Sequence, residues 1–217
     1  MKKKMLLLAL LGALVLPGLQ GCFPLVAVST GTGVSSVVDR RTVGTQTEDE
    51  GIEWKALTRA NEKIDKRAHL NFTSFNRKVL VTGEVPNAET KNQVTSMVLG
   101  IPNVEKVYNE TIIGPASSMV DRSNDSYITT KIKSRSLDTE SRFNPLQVKV
   151  VTEAGTAYLL GMLTQSEANA AIEVTRRTSG VRRVINLFEI VSAEKAKELD
   201  RDVANQKNSP PEDEPLR

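Results

Sequence analysis

The chain has 217 residues, of which 39% are hydrophobic and 25% are charged, and its formal net charge is +3. Lys2, Lys3 and Lys4 supply that whole excess, so the chain after residue 21 is formally neutral. The lack of a basic excess disfavours nucleic-acid binding, and a single cysteine, Cys22, excludes an internal disulfide framework.

The first 21 residues have the order of a secretory signal peptide. The three lysines precede an apolar run from Met5 to Leu16, and Pro17, Gly18 and Gly21 follow it. A helix that spans a bilayer needs roughly 20 apolar residues, which is more than this run contains. We therefore expect residues 1–21 to direct export and then to be removed.

Cys22 ends the string L-Q-G-C, which resembles a bacterial lipobox except that Gln20 stands where a small or hydroxyl residue is usual. The resemblance implies that Cys22 becomes the first mature residue and carries a diacylglyceryl group and an N-acyl chain. Stable anchoring needs about two acyl chains, so this set would hold the protein on a membrane. Phe23 replaces the Asp of inner-membrane lipoproteins, which implies the outer membrane, facing the periplasm. The alternative is a free thiol near the cleavage site.

Segments of low complexity lie on both sides of the central region. Residues 22–50, with S-T-G-T-G-V-S-S at Ser29–Ser36, predict an acylated cysteine followed by a flexible tether. Residues 192–217 predict a charged helix over Ser192–Gln206 that packs weakly, followed by a Pro-rich, acidic, disordered tail.

An internal repeat divides the central region into two copies of one module. Val81–Val94 matches Leu159–Ile172 at a spacing of 78 residues. V-E-K-V-Y-N at 104–109 then matches V-R-R-V-I-N at 181–186 at a spacing of 77. The two predicted domains occupy residues 51–115 and 121–191.

Both copies have the same predicted order of elements: helix, strand, strand, helix, strand. In copy one these are Glu53–Arg67, Leu70–Phe75, Lys78–Val85, Ala88–Leu99 and Val104–Ile113. In copy two Asn124 or Asp125 caps the first helix, strands begin at Leu146 and Thr156, and helix Gln165–Arg177 precedes strand Val181–Val191. Gly83 and Gly161 end strands and are predicted to be structural. The fold class is α+β, with a three-stranded sheet packed on two helices in each module.

The duplicated pattern of a glycine, a helix and V-x-x-V-x-N behind a lipobox resembles the BON domain family. The likeness is carried by R-R-T-V-G-T-Q at 40–46, K-V-L-V-T-G at 78–83, V-Y-N-E at 107–110, S-N-D-S-Y-I-T-T-K-I-K-S at 123–134 and S-G-V-R-R-V at 179–184. The resemblance implies two tandem BON domains on an outer-membrane lipoprotein that keeps the outer membrane intact. It also implies binding of anionic phospholipid such as phosphatidylglycerol, and a link to the division site and to outer-membrane protein assembly.

The resemblance places phospholipid contact on the first helix of the second domain, at Tyr127, Ile128, Lys131, Ile132, Lys133 and Arg135. A tyrosine suits a membrane interface because its ring lies among headgroups while its hydroxyl stays in water. Each lysine or arginine near an anionic surface adds about 1 kcal/mol to the binding free energy. The alternative is that Tyr127 packs on the sheet and the cations form a solvated face. A second basic cluster, Arg176, Arg177, Arg182 and Arg183, is interpreted as plain surface.

Few residues point to catalysis, a metal or a cofactor. The one histidine, His69, is expected to complement the C-terminus of the first helix, and no second histidine or free cysteine is present to complete a metal site. Trp54 is expected to anchor the core or a domain interface, and Asp49 and Glu50 fall in the predicted tether. We therefore expect a non-enzyme without metal or cofactor. The alternative to lipid binding is a protein-interaction adaptor for an envelope machine, with incidental lipid contact.

Overall fold

The computed structural model describes residues 39–137 and 142–208, with side chains as far as Asn205. The predicted signal peptide, Cys22 and the tether before Asp39 lie outside that part of the chain, as does the tail beyond residue 208. The described residues belong to one compact unit. None of their helices is long and apolar enough to cross a membrane.

Each half of the described chain has the predicted order of elements. The first half contains α1 (Val43–Lys63), β1 (His69–Phe75), β2 (Lys78–Val85), α2 (Ala88–Leu99), β3 (Lys106–Asn109) and β4 (Ile112–Ile113). The second contains α3 (Met119–Ser136), a 3-10 turn (Pro145–Gln147), β5 (Lys149–Glu153), β6 (Thr156–Leu160), β7 (Met162–Leu163), α4 (Gln165–Arg176), β8 (Arg183–Asn186), β9 (Glu189–Ile190) and α5 (Ala193–Asn208). The predicted α+β class and tandem modules are confirmed.

The two modules have the same sheet topology. In the first, β2 lies between its antiparallel neighbour β1 and the parallel strands β3 and β4. In the second, β6 lies between antiparallel β5 and parallel β8, and β7 pairs in parallel with β9. A hairpin followed by a crossover helix thus puts the second strand of each module at the centre of its sheet.

The predicted third strand of each module is interrupted at the asparagine of the repeated motif. Asn109 Oδ1 accepts a hydrogen bond from Thr111 N at 3.2 Å, and Asn186 Oδ1 accepts one from Phe188 N at 2.9 Å. A side chain that binds a backbone N–H two residues further on competes with the strand ladder. This local bond accounts for the division into β3 and β4, and into β8 and β9.

The glycines of the repeat allow two strands to pass close to another backbone segment. A Cβ atom on Gly83 would lie 2.1 Å from the His69 carbonyl oxygen, and one on Gly161 would lie 2.6 Å from the Gln147 carbonyl oxygen. Gly83 also has a φ of +107°, which side chains disfavour. The predicted structural role of both glycines is confirmed.

Three hydrophobic clusters hold the elements together. Two of them lie between the helices and one face of the sheet in each module. The third lies between the opposite faces of the two sheets, so the layers run helices, sheet, sheet, helices. Its buried members are Phe75, Leu80, Tyr158 and Leu160. Burial on both faces explains why β2 and β6 are nearly continuous apolar strands.

Both first helices begin earlier than predicted. Thr42 caps α1, and Ser118 caps α3 in a capping box with Asp121. Residues 43–50 are therefore helical, which corrects the prediction of a flexible tether as far as residue 50. Asp125 does not cap a helix, because its buried carboxylate accepts backbone N–H groups from the β5–β6 turn.

Two side chains of the first module lie where the sequence did not place them. His69 begins β1 instead of ending a helix, and its Nδ1 lies 3.1 Å from Glu84 Oε2. Trp54 is 70% exposed and anchors no part of the described core. The buried face of α1 is set by Ile52 and Ala56, and Trp54 falls between them on the other side of the helix.

Arg40 fastens the C-terminal helix to the second module. Its guanidinium donates to Glu167 Oε2 on α4 at 2.8 Å and to Asp200 Oδ1 on α5 at 2.9 Å. Burial lowers the pKa of Arg40, but the hydrogen bonds to these two carboxylates outweigh it and raise the pKa above its ordinary value. Helix α5 also buries Ala196 and Val203, which corrects the prediction that it packs weakly.

Candidate functional site

Helix α3 presents one face to the core of the second module and the opposite face to solvent. Ile128 and Ile132 are each 1% exposed and lie in that core. The two isoleucines, predicted as lipid contacts, are therefore core residues, because residues four apart on a helix share a face. They hold α3 against the sheet and leave lipid contact to the other side of the helix.

Four large apolar side chains are exposed along α3 and at its C-cap. Met119, Val120, Tyr127 and Leu137 are 73%, 78%, 62% and 67% exposed. At 3.6 residues per turn they fall within an arc of about 100°, spread over about 27 Å of helix. A single exposed apolar residue is ordinary, but a row along one helix marks an interaction surface. Tyr127 belongs to this row, which we call the α3 row, and does not pack on the sheet.

Three cations lie beside the α3 row, in the C-terminal half of the helix. Lys133 and Arg135 are exposed, and Lys131 is half-buried. Within residues 39–137 and 142–208, none of the three forms an ion pair with a carboxylate. Cations in the last turn interact favourably with the helix dipole, and they also give this end of α3 a positive surface.

Lys131 links α3 to the loop that follows α4. Its Nζ lies 4.7 Å from the centroid of the Tyr127 ring and donates to the Ser179 carbonyl oxygen. Gly180 has a φ of +100°, and a Cβ atom there would lie 2.9 Å from Ile128 Cγ1, so this loop packs directly on the helix. Lys131 therefore orients the Tyr127 ring, and the exposed Lys133 and Arg135 carry the charge that a surface would meet.

The second basic cluster is partly neutralised by carboxylates. Arg177 Nε lies 2.7 Å from Glu173 Oε1, and Arg183 Nη2 lies 3.8 Å from Glu110 Oε2. The pairing reduces the positive charge that this cluster presents. Its interpretation as plain surface stays a prediction.

Helix α1 carries its own exposed apolar pair, Trp54 and Leu57, which are 70% and 43% exposed. The caps Thr42 and Ser118 show that the first helices of the two modules correspond at a spacing of 76. At that spacing Tyr127 corresponds to Gly51, so the two helices present different residues to solvent. The 3–4 spacing of the buried residues of α1 could have revealed this exposed pair in the sequence.

Comparisons with known proteins show what the chain is similar to. The model of the BON domain family matches residues 54–115 and 124–192. Outer membrane lipoprotein DolP of Haemophilus influenzae is 38% identical over 181 residues, which cover 82% of this chain and 92% of that protein. The 21 kDa hemolysin of Actinobacillus pleuropneumoniae is 35% identical over 156 residues, which cover 71% of this chain and 80% of that protein.

A solved structure is also similar over most of its length. CdsD, a structural protein of the type III secretion system of Chlamydia trachomatis, is 14% identical, and the match covers 74% of this chain and 99% of that one. Its TM-score is 0.28, which is too low to support an argument about fold or function.

Proposed function

The chain belongs to the BON domain family, and from that premise we propose that α3 of its second domain makes a peripheral contact with anionic phospholipid. Like its relative from Haemophilus influenzae, the protein is an outer membrane lipoprotein. In this proposal Cys22 carries the acyl anchor and the domains face the periplasm. The headgroup is of the phosphatidylglycerol type, and the contact supports outer-membrane integrity, including at the division site. No catalytic residue takes part.

The α3 row and the unpaired cations beside it carry this proposal. Helices with an exposed apolar stripe and flanking lysine or arginine lie in the membrane interface with the stripe among the headgroups. Tyr127 has the amphipathic ring that interfaces favour. Lys133 and Arg135 together would add about 2 kcal/mol near an anionic surface, so the contact is weak alone and selective for negative charge.

A weak contact is sufficient because the chain is tethered. Residues 23–38 connect Cys22 to the first described residue and span at most about 55 Å when fully extended. A tether of that length keeps α3 at a high effective concentration near the membrane. The anchor would therefore determine residence on the membrane, and α3 would determine orientation and headgroup preference.

Co-sedimentation with liposomes tests the proposal. Residues 23–217, which lack the acyl group, are mixed with vesicles of phosphatidylcholine alone or with added phosphatidylglycerol. The wild type should sediment with the anionic vesicles at low salt, and Tyr127→Glu should stay in the supernatant. Trp54→Glu is the matched control, because it puts the same charge on an equally exposed aromatic position of α1.

Two outcomes would contradict the lipid site. Binding that Tyr127→Glu leaves unchanged would remove α3 from the contact. Equal loss in Tyr127→Glu and Trp54→Glu would show a response to added negative charge rather than to a site on α3.

The exposed pair Trp54 and Leu57 favours a second candidate function, recruitment of an outer-membrane assembly or division protein by the first domain. Tryptophan is enriched among the residues that dominate protein interfaces. A photo-crosslinking amino acid at position 54 should then capture an envelope protein, and one at the exposed position 127 should label lipid. Capture of the same protein from both positions would count against a division of labour between the domains.

A further inference from the structure

Three potential metal ligands meet where the two domains face each other. His69 begins β1 opposite Glu84 of β2, and Glu153 ends β5 of the second domain. The nearest ligand atoms of the three side chains all lie within 4.8 Å of one another. Asn71 Nδ2 of the first domain donates to Glu153 Oε2 at 3.0 Å, so the site crosses between domains. We call this cluster the interdomain site.

The interdomain site carries negative charge without a fixed positive partner. Glu84 and Glu153 are each 6% exposed, and among the described residues no lysine or arginine forms an ion pair with either carboxylate. Buried carboxylates are ordinarily paired with a cation or a metal because desolvation of an isolated charge is costly. Nearby Tyr158 reports the same field: burial raises its pKa to about 12, and Glu110 and Glu153 add to the shift. The cluster therefore has the electrostatics of a cation site.

We propose that His69, Glu84 and Glu153 bind a zinc ion that bridges the two domains. One imidazole nitrogen and two carboxylates form a ligand set that zinc accepts, with a fourth position for water. Zinc bonds of about 2.1 Å place tetrahedral ligand atoms about 3.3 Å apart. His69 Nδ1 and Glu84 Oε2 already lie 3.1 Å apart, and Glu153 has to approach them by about an ångström.

Neighbouring groups orient the two carboxylates. Ser117, in the segment that joins the domains, donates from its backbone N at 3.1 Å to Glu84 Oε2. Asn71 holds Glu153 in the same manner. Hydrogen bonds of this kind around metal ligands fix their orientation and support affinity.

Zinc binding would fasten the domains to each other. The ligands come from both domains, so the ion binds the docked arrangement and stabilises it by mass action. The distance in sequence explains why the ligands could not be recognised there: a lone histidine gives no metal pattern until the fold brings Glu84 and Glu153 to it. Calcium and magnesium prefer ligand sets made of oxygen, so they should not compete.

Zinc titration of the full protein in detergent, with any free Cys22 thiol alkylated, tests the proposal. Because His69 is the chain's one histidine, its imidazole resonances report the site without overlap. We expect one zinc per chain by calorimetry, displacement of the imidazole signals, and a higher unfolding temperature. His69→Ala and Glu153→Gln should each weaken zinc binding at least ten-fold. Millimolar calcium or magnesium should change none of these readings.

Glu189→Gln is the matched control. Glu189 also bonds across the domains, to Asn76 and Lys78, but lies apart from the histidine, so this variant should keep wild-type zinc affinity. The proposal is overturned if zinc leaves the wild-type imidazole signals unmoved, or if Glu153→Gln binds zinc as the wild type does. If a ligand variant does not fold, the wild-type imidazole shift and Asn71→Ala, expected to bind more weakly, decide the question.

Discussion

Asp49 and Asp125 occupy the same position in the two domains, where each buried carboxylate accepts hydrogen bonds from both turn residues of the hairpin that follows. Asp49 accepts from Asn76 N at 2.7 Å and Arg77 N at 2.8 Å. Asp125 accepts from the corresponding turn at 2.8 and 2.9 Å. The turn residues have positive φ angles, which favour the tight hairpin turn but strain side chains such as that of Arg77. The aspartates join the first helix to the hairpin and hold that strain.

Removal of this carboxylate should destabilise the second domain. Asp125→Ala leaves two buried N–H groups without an acceptor, and we expect the free energy of unfolding to fall by about 3 kcal/mol. Urea denaturation followed by circular dichroism measures the change. Asn124→Ala, at the exposed neighbouring position, should leave the midpoint unchanged; an equal loss there would contradict the assignment.

Stability at low pH should depend on Asp49. Burial raises its pKa, but hydrogen bonds from Ser74, Arg77 and Arg41 outweigh it and hold the pKa below the ordinary 3.8. A depressed folded-state pKa means that the stabilisation is complete above pH 3.8 and is lost as the pH falls through the folded value. Asp49→Asn should therefore flatten the decline of the urea midpoint below pH 4, and Glu50→Gln, an exposed neighbour, should not.

Loss of Arg40 should release helix α5. Arg40→Met leaves Glu167 and Asp200 without their cation, and we expect a loss of about 3 kcal/mol in stability. Hydrogen–deuterium exchange should accelerate in residues 193–205 more than in α1. Arg201→Met changes an exposed arginine of the same helix and should leave exchange there at the wild-type rate.

Two glycines should respond to alanine in opposite directions. Gly83→Ala drives a Cβ atom into the His69 carbonyl oxygen and should disrupt the pairing of β1 with β2. Gly51→Ala, in the interior of α1 with open space around it, should stabilise the protein by about 0.8 kcal/mol through helix propensity. Thermal denaturation of the two variants measures both effects, and a fall in stability with Gly51→Ala would contradict the α1 geometry.

The charge contribution to membrane contact should be visible in its salt dependence. The double variant Lys133→Gln, Arg135→Gln should lose about 2 kcal/mol of binding to phosphatidylglycerol vesicles at low salt. Since salt screens such contacts, the difference from wild type should shrink as ionic strength rises. Arg201→Gln keeps the same reduction of charge away from α3 and should bind as the wild type does.

Local patterns in the sequence predicted the element order well. The bounds of β2 and α2 coincide with those predicted, because alternation and the helical period are properties of neighbouring residues. The helix starts at Thr42 and Ser118 were missed, since Ser- and Thr-rich stretches resemble linkers as much as caps. The correspondence of Asp49 with Asp125 was missed for the same reason, because its spacing of 76 differs from the 78 of the strands.

The sequence by itself determined the export signal with its lipobox, the duplication of one α+β module and the family resemblance, because each is written in residues close together in the chain. Only the tertiary structure decided which side of each helix meets solvent, and so that Ile128 lies in the core while Tyr127 and Trp54 lie outside it. It also decided that two glutamates join His69 between the domains. Burial and clustering depend on contacts between distant residues, and here the packing of sheet on sheet makes those contacts.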